Sequence, residues 1–255
     1  MKKLSALIVI LAVLFAVNSL RAQTYPVPKM ALHIYGGYTL PLPDLKGTYP
    51  DDITSGKNPT PYFMKSGFNF GADGKYYVDK KSTFGIMLSF NYTMLSSGDI
   101  GVTSSDTLIG TGTWKSKINV FSIGVGAEYD FAPKRPANPF VNVNFTTNIF
   151  SGTTTFAPSG AGTSYSADMS SAVRFGARFG AGVDVKLSKT IGIIIGGRYA
   201  FLNLFGKDTT AATSTTYGLN DKETTTMKAK KIDYLQFYAG MSFYFSLRKT
   251  TPVKK

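Results

Sequence analysis

The chain has 255 residues, a formal net charge of +13, 43 % hydrophobic and 14 % aromatic residues, and no cysteine. The missing thiol excludes disulfides, thiolate metal sites and a lipid-attachment cysteine. Beyond the amino terminus no stretch approaches the roughly 18 apolar residues of a membrane helix, so helical spans are excluded as well.

Lys2 and Lys3 precede an almost unbroken apolar run from Leu4 to Val17, and Asn18-Ser19-Leu20-Arg21-Ala22 follows. This pattern predicts an export signal over residues 1–22, cut after Ala22, with residues 23–255 forming one domain. Lys2, Lys3 and Arg21 leave with the signal. The remaining basic excess clusters in connections: Lys80 and Lys81, Lys134 and Arg135, Lys228, Lys230 and Lys231, Lys254 and Lys255. In an exported chain these suit anionic lipid head groups at a membrane rim, and no nucleic-acid partner is expected.

The first predicted strand, about Ala31–Leu40, sets Leu32, Ile34, Tyr38 and Leu40 against His33, Tyr35, Gly37 and Thr39. A Pro-, Gly- and Asp-rich connection, Pro41–Lys65, leads to the second, Gly67–Val78. There Phe68, Phe70, Ala72, Tyr76 and Val78 oppose Asn69, Gly71, Asp73, Lys75 and Tyr77. Asp79-Lys80-Lys81-Ser82 reads as a tight turn. In the third strand Phe84, Ile86, Leu88, Phe90, Tyr92 and Met94 alternate with Gly85, Met87, Ser89, Asn91 and Thr93. Ser96–Thr113 reads as a long connection, and the fourth strand, about Trp114–Tyr129, turns Phe121, Ile123, Val125, Ala127 and Tyr129 outward and Glu128 inward.

A short Pro-containing turn, Phe131–Pro139, precedes the fifth strand, where Val141, Val143, Phe145 and Ile149 alternate with Asn142, Asn144, Thr146 and Asn148. Ser151–Ser170 reads as a third long connection. The sixth strand runs from Val173 to Val185 with Arg174, Arg178 and Asp184 inward, and Leu187–Thr190 turns into the seventh, with Ile193, Ile195, Tyr199 and Phe201 outward and Arg198 inward. A Thr/Lys-rich loop, about Phe205–Lys230, precedes the eighth, which sets Leu235, Phe237, Ala239, Met241, Phe243, Phe245 and Leu247 against Tyr234, Gln236, Tyr238, Gly240, Ser242 and Tyr244.

Strict alternation puts the two sets on opposite faces, and about 9–11 residues is what a tilted strand needs to cross a bilayer. The polar face carries Gly, Ser, Thr and Asn rather than the Lys and Glu of a soluble sandwich, as a crowded barrel interior requires. The strand count is even and connections alternate long and short. The predicted class is therefore all-β: an eight-stranded antiparallel up-and-down transmembrane β-barrel with short periplasmic turns and four long outer loops. Trp114 and Tyr38, Tyr76, Tyr92, Tyr129 and Tyr199 are expected in the aromatic girdles.

With the leader ending Arg21-Ala22-Gln23, the eight alternating segments and the aromatic end Phe243-Tyr244-Phe245, the chain resembles the small eight-stranded outer-membrane barrels. That is the class of OmpX and the OmpA transmembrane domain, and in style the PorT-like barrels of Bacteroidetes. The resemblance implies a Gram-negative outer membrane and insertion by the barrel-assembly machinery, which reads an aromatic-ended last strand. Here Ser246–Lys255 follow that strand, so the strictly terminal signal is absent, and the tail is too short for a peptidoglycan-binding domain.

The chemically suggestive set is the inward charges Asp73, Lys75, Glu128, Arg174, Arg178, Asp184 and Arg198. Lone buried charges are costly, so these should pair across the lumen as a structural or gating network. Glycines at 124, 126, 176, 180, 182, 192 and 196 would make room for opposing Arg and Tyr. His33 is the only histidine, no G-x-S-x-G flanks a serine, and no calcium-loop pattern occurs, so neither catalytic, metal nor cofactor residues are expected. The expected role is non-enzymatic, structural or surface-interacting through the outer loops, whose protein or glycan partner the sequence does not name. A narrow solute pore is the alternative, and a lipid-modifying enzyme the distant third.

Overall fold

The computed structural model describes residues 25–46, 62–103, 111–160, 162–210, 215–225 and 229–246. The leader, Ser55, Ser105, Thr213, Lys228, Leu247 and the tail lie outside them. Eleven strands are present: β1 Met30–Pro41, β2 Ser66–Tyr77, β3 Phe84–Ser96, β4 Ile100–Thr103, β5 Thr111–Asp130, β6 Ala137–Pro158, β7 Tyr165–Met169, β8 Ala172–Lys186, β9 Ile191–Phe205, β10 Thr216–Tyr217 and β11 Asp233–Phe245. Eight of them form a closed antiparallel ring in the order β1–β2–β3–β5–β6–β8–β9–β11, and β11 returns to β1. Closure leaves no unpaired edge within the ring, as hydrocarbon demands.

The predicted facing holds along all eight strands. In β3, buried and exposed residues alternate from Phe84 to Met94, with only Tyr92 partly covered. Large apolar side chains cover the outside, with Phe145 71 % and Phe68 64 % exposed, which in water would be an aggregation surface and in lipid is the solvent-matched face. The short turns, residues 78–83, 131–136 and 187–190, lie at one end and the long connections at the other. In this architecture the short-turn end faces the periplasm.

Asp79 organises the first turn by accepting N–H bonds from Lys81 (3.0 Å), Thr83 (2.8 Å) and Phe84 (2.9 Å). Slight burial would raise its carboxyl, but these bonds outweigh that and hold it below the ordinary value. They also offset the left-handed backbone of Ser82 at φ 56°.

Two expectations need correction. Ser96–Thr113 and Ser151–Ser170 are not plain connections: they contain β4, the start of β5, the end of β6 and β7. Across the β5–β6 ladder Phe121 faces Ile149, but one step outward Asn119 faces Ser151 and Lys117 faces Thr153. The apolar outer face stops there while the strands continue into water, so the lipid signal ends before the sheet does. Thr and Ser dominate this projection, and threonine is a good strand former. About nine residues of β5 at about 3.3 Å each extend roughly 30 Å along the strand past that boundary.

Trp114 is the second correction. It shares the face of the buried Ser116, Ile118 and Val120, so it lies on the inward side of the projection and not in a lipid girdle. There it stacks on Tyr165 (centroids 6.3 Å, 19°) beside Phe156 (6.4 Å). Tyr38, Tyr76 and Tyr129 do stand exposed on the outer face.

The interior is layered. Ala31, Tyr77 and Tyr244 pack at the periplasmic end, and Tyr35, Phe140, Ile194 and Tyr238 pack midway. The outer end holds the largest cluster, in which the wall residues Leu95, Ile118, Val120, Phe150 and Leu202 meet Leu45, Met64 and Leu219 from the connections. Glycines fit large partners where the sequence suggested: a Cβ at Gly196 would stand 2.5 Å from the Tyr238 hydroxyl, and one at Gly192 2.3 Å from that of Tyr244.

Candidate functional site

The candidate site is the lumen. Because β-strands alternate, each inward charge is fixed by its parity, and all seven predicted residues are at most 5 % exposed. Lys75 (β2) pairs with Glu128 (β5), whose second oxygen accepts from Asn142 at 3.1 Å. The Lys75 ammonium also lies 5.6 Å from the centres of the Tyr77 and Phe140 rings. Arg198 (β9) reaches Asp73 (β2) at 2.9 Å and the Tyr35 hydroxyl at 2.8 Å, and that hydroxyl donates to Asp73 at 3.1 Å. Its guanidinium sits 4.7 Å and 4.4 Å from the Tyr35 and Tyr238 ring centres.

The remaining three do not join those pairs. Asp184 accepts from Ser242 and Tyr244, each at 2.7 Å, with His33 Nε2 3.9 Å away. Arg174 turns to the outer loop instead, giving Nε bonds of 3.0 and 3.1 Å and an Nη2 bond of 2.8 Å to Asp221. Arg178 is 1 % exposed, and among the described residues none of its guanidinium nitrogens has a hydrogen-bond partner. Two pairs, Lys75–Glu128 and Arg198–Asp73, thus cross the lumen, and the other three residues lie apart from them.

Three charged residues were missed. Asp130 and Lys186 are buried one strand step beyond Glu128 and Asp184, so the same parity would have found them. Asp130 accepts from Asn138 at 2.6 Å, and Lys186 donates to the Pro133 carbonyl. Asp221 lies in an aperiodic loop, where no spacing marks it. It is fully buried, and besides Arg174 it accepts from Asn203 (2.8 Å) and the Asp208 amide (3.1 Å). Burial would raise its carboxyl, but the Arg174 and Asn203 bonds overcome this and hold it below the usual range.

Both mouths are covered. Outward, Leu219 inserts two residues before Asp221, the Tyr62 hydroxyl donates to the Leu219 carbonyl at 2.5 Å, and the Lys230 ammonium lies 4.9 Å from the Tyr62 ring centre. The two loops are thus tied to each other and, through Arg174 and Asn203, to the wall. Inward, Tyr25 and Val27 are buried where the amino-terminal segment spans from the Lys134 carbonyl (bonded by the Tyr25 amide) to Ser82, which donates to Pro28.

Ser242, across the ladder from His33, donates to Asp184, and His33 is 1 % exposed. Among the described residues no group of three or more His, Cys, Asp or Glu could hold a metal ion.

No curated protein matches the chain. Neisserial surface protein A is similar in structure, with 14 % identity, TM-score 0.46 and coverage of 86 % of this chain and 99 % of that one. Ail of Yersinia pestis, in complex with the heparin analogue sucrose octasulfate, gives 17 % identity, TM-score 0.39 and coverage of 84 % and 99 %. OprG of Pseudomonas aeruginosa gives 11 %, 0.44, and 88 % and 98 %. The family described as outer membrane protein beta-barrel domain matches residues 8–245. With a closed ring of eight amphipathic strands behind that match, the chain belongs to this family of Gram-negative outer-membrane β-barrels.

Proposed function

We propose that the protein is a closed, non-enzymatic barrel that acts through its outer surface. The observation that carries this reading is the apolar plug in the outer mouth, where Leu45, Met64 and Leu219 from the loops bury themselves among Leu95, Ile118, Val120, Phe150 and Leu202 of the wall. An open pore would line this mouth with polar groups and leave it wet. Below the plug, paired charges and stacked rings fill the bore, as expected for a ring of eight strands. The polar lumen alone would favour a pore; the covers at both ends weigh against it.

The working surface is then the β-projection beyond the membrane. Its outward face offers Lys115, Lys117, Asn119, Thr153 and Thr155, with Lys115 paired to Asp99 at 3.0 Å. A protein or glycan partner would meet this Thr- and Lys-rich face first. Export through a leader ending at Ala22, insertion by the barrel-assembly machinery, and structural roles for Asp73, Lys75, Glu128, Arg174, Arg178, Asp184 and Arg198 belong to the same proposal. The experiment is solute flux from liposomes carrying the purified protein. Retention of small sugars and amino acids over minutes is the expected result; their rapid escape would establish the pore instead.

A further inference from the structure

We propose that Arg178 seats a single halide ion in the middle of the lumen. Each other buried cation on the barrel strands has an anionic or carbonyl partner: Lys75 has Glu128, Arg198 has Asp73, Arg174 has Asp221, and Lys186 has the Pro133 carbonyl. Arg178 is as buried as any of them, yet Nε, Nη1 and Nη2 all lack a partner among the described residues. A guanidinium is charged at every accessible pH and offers five N–H donors in one plane.

Among the described residues no carboxylate is free to reach it. Asp73 is occupied at both oxygens by Arg198 and Tyr35. Asp184 is six residues along the same strand, about 20 Å at about 3.3 Å per residue, and is held by Ser242 and Tyr244. Asp221, beside Arg174 four residues the other way, accepts from Arg174, Asn203 and the Asp208 amide. Across the ladders Arg178 faces Asn144 and Ala200, neither of which carries charge.

Water could occupy the donors but would leave the guanidinium without an anion in contact in a sealed interior, where an unpaired ion is costly. One halide supplies both an acceptor and the single negative charge, whereas a sulfate would overcompensate. Asn144, whose Oδ1 has no partner, can turn its amide to present N–H to the ion. The ion would give Arg178 the anionic contact that Lys75, Arg198 and Arg174 each have. This goes beyond the closed-barrel reading and is tested separately from it.

Protein refolded in detergent should melt higher in sodium bromide or chloride than in sodium gluconate at equal ionic strength, with a shift that saturates as halide rises. R178M should lose the halide-specific shift. Because that variant could misfold, crystals of the wild-type protein grown with bromide give an independent reading, with an anomalous peak expected within about 3.5 Å of the guanidinium. Ordered water alone at Arg178, a bromide bound only elsewhere, or an equal halide shift in folded R178M would each overturn the proposal.

Discussion

Replacing Asp221 by Ala should unlatch the outer plug. The carboxylate is fully buried and accepts from Arg174, Asn203 and the Asp208 amide, so its removal strands a 5 % exposed guanidinium and a buried amide together. Breaking one side of such a buried pair costs about 3–5 kcal/mol, against about 0–1 kcal/mol for an exposed pair. The loss should localise outward, because Leu219 is two residues away and is one of the plug's side chains. Trp114 is the only tryptophan and stacks within the outer projection, so its fluorescence in a urea titration reads the outer end directly. Pairing Asp221→Leu with Arg174→Met should recover most of the loss, since no charge is then left unpaired. A cost below about 1 kcal/mol for Asp221→Ala, with no recovery in the double variant, would refute the latch.

Acid should act on the same latch with a defined sign. The folded Asp221 carboxyl lies below its ordinary value, so its contribution is complete above about pH 4 and is lost only as pH falls through the folded value; Asp221→Asn should lack that acid step in the Trp114 signal. The membrane boundary predicts that Val125→Arg, on a lipid-facing position 58 % exposed, costs about 2–4 kcal/mol, while Thr153→Arg beyond the boundary costs about 0–1; urea unfolding in lipid vesicles with the reverse order would move the boundary. Because the chain has no cysteine, single cysteines give an unambiguous topology: Ser159→Cys should react with an impermeant thiol reagent on intact cells, and Lys81→Cys, Pro136→Cys and Lys189→Cys should not. Labelling of any of those three from outside would invert the orientation.

Side-chain facing was legible because a strand's period of two is local: the alternation that sets Phe84 against Gly85 also sends Asp73, Glu128 and Arg178 inward. Which charges meet was not legible, because partners across a bore depend on stagger between strands that are not neighbours. Lys75 on β2 finds Glu128 two strands away on β5, and Arg198 on β9 finds Asp73 on β2. The outer end of β6 was unreadable as membrane strand because water, unlike lipid, lets Thr153 face outward, whereas the fourth predicted strand already ran past Lys117 to Trp114. Trp114 was misplaced for the same reason, since the rule that puts aromatic rings at head groups applies only on the lipid side. Asp221 and Leu219 sit in a loop with no period, and only the folded loop brings one to Arg174 and the other into the plug.

The central claim is that the bore is shut. Single-channel recording of the purified wild-type barrel in planar bilayers tests it most directly, with Asp221→Ala measured alongside. The account predicts a flat baseline for the wild type and intermittent openings once the latch is cut. A steady wild-type conductance that Asp221→Ala leaves unchanged would contradict it.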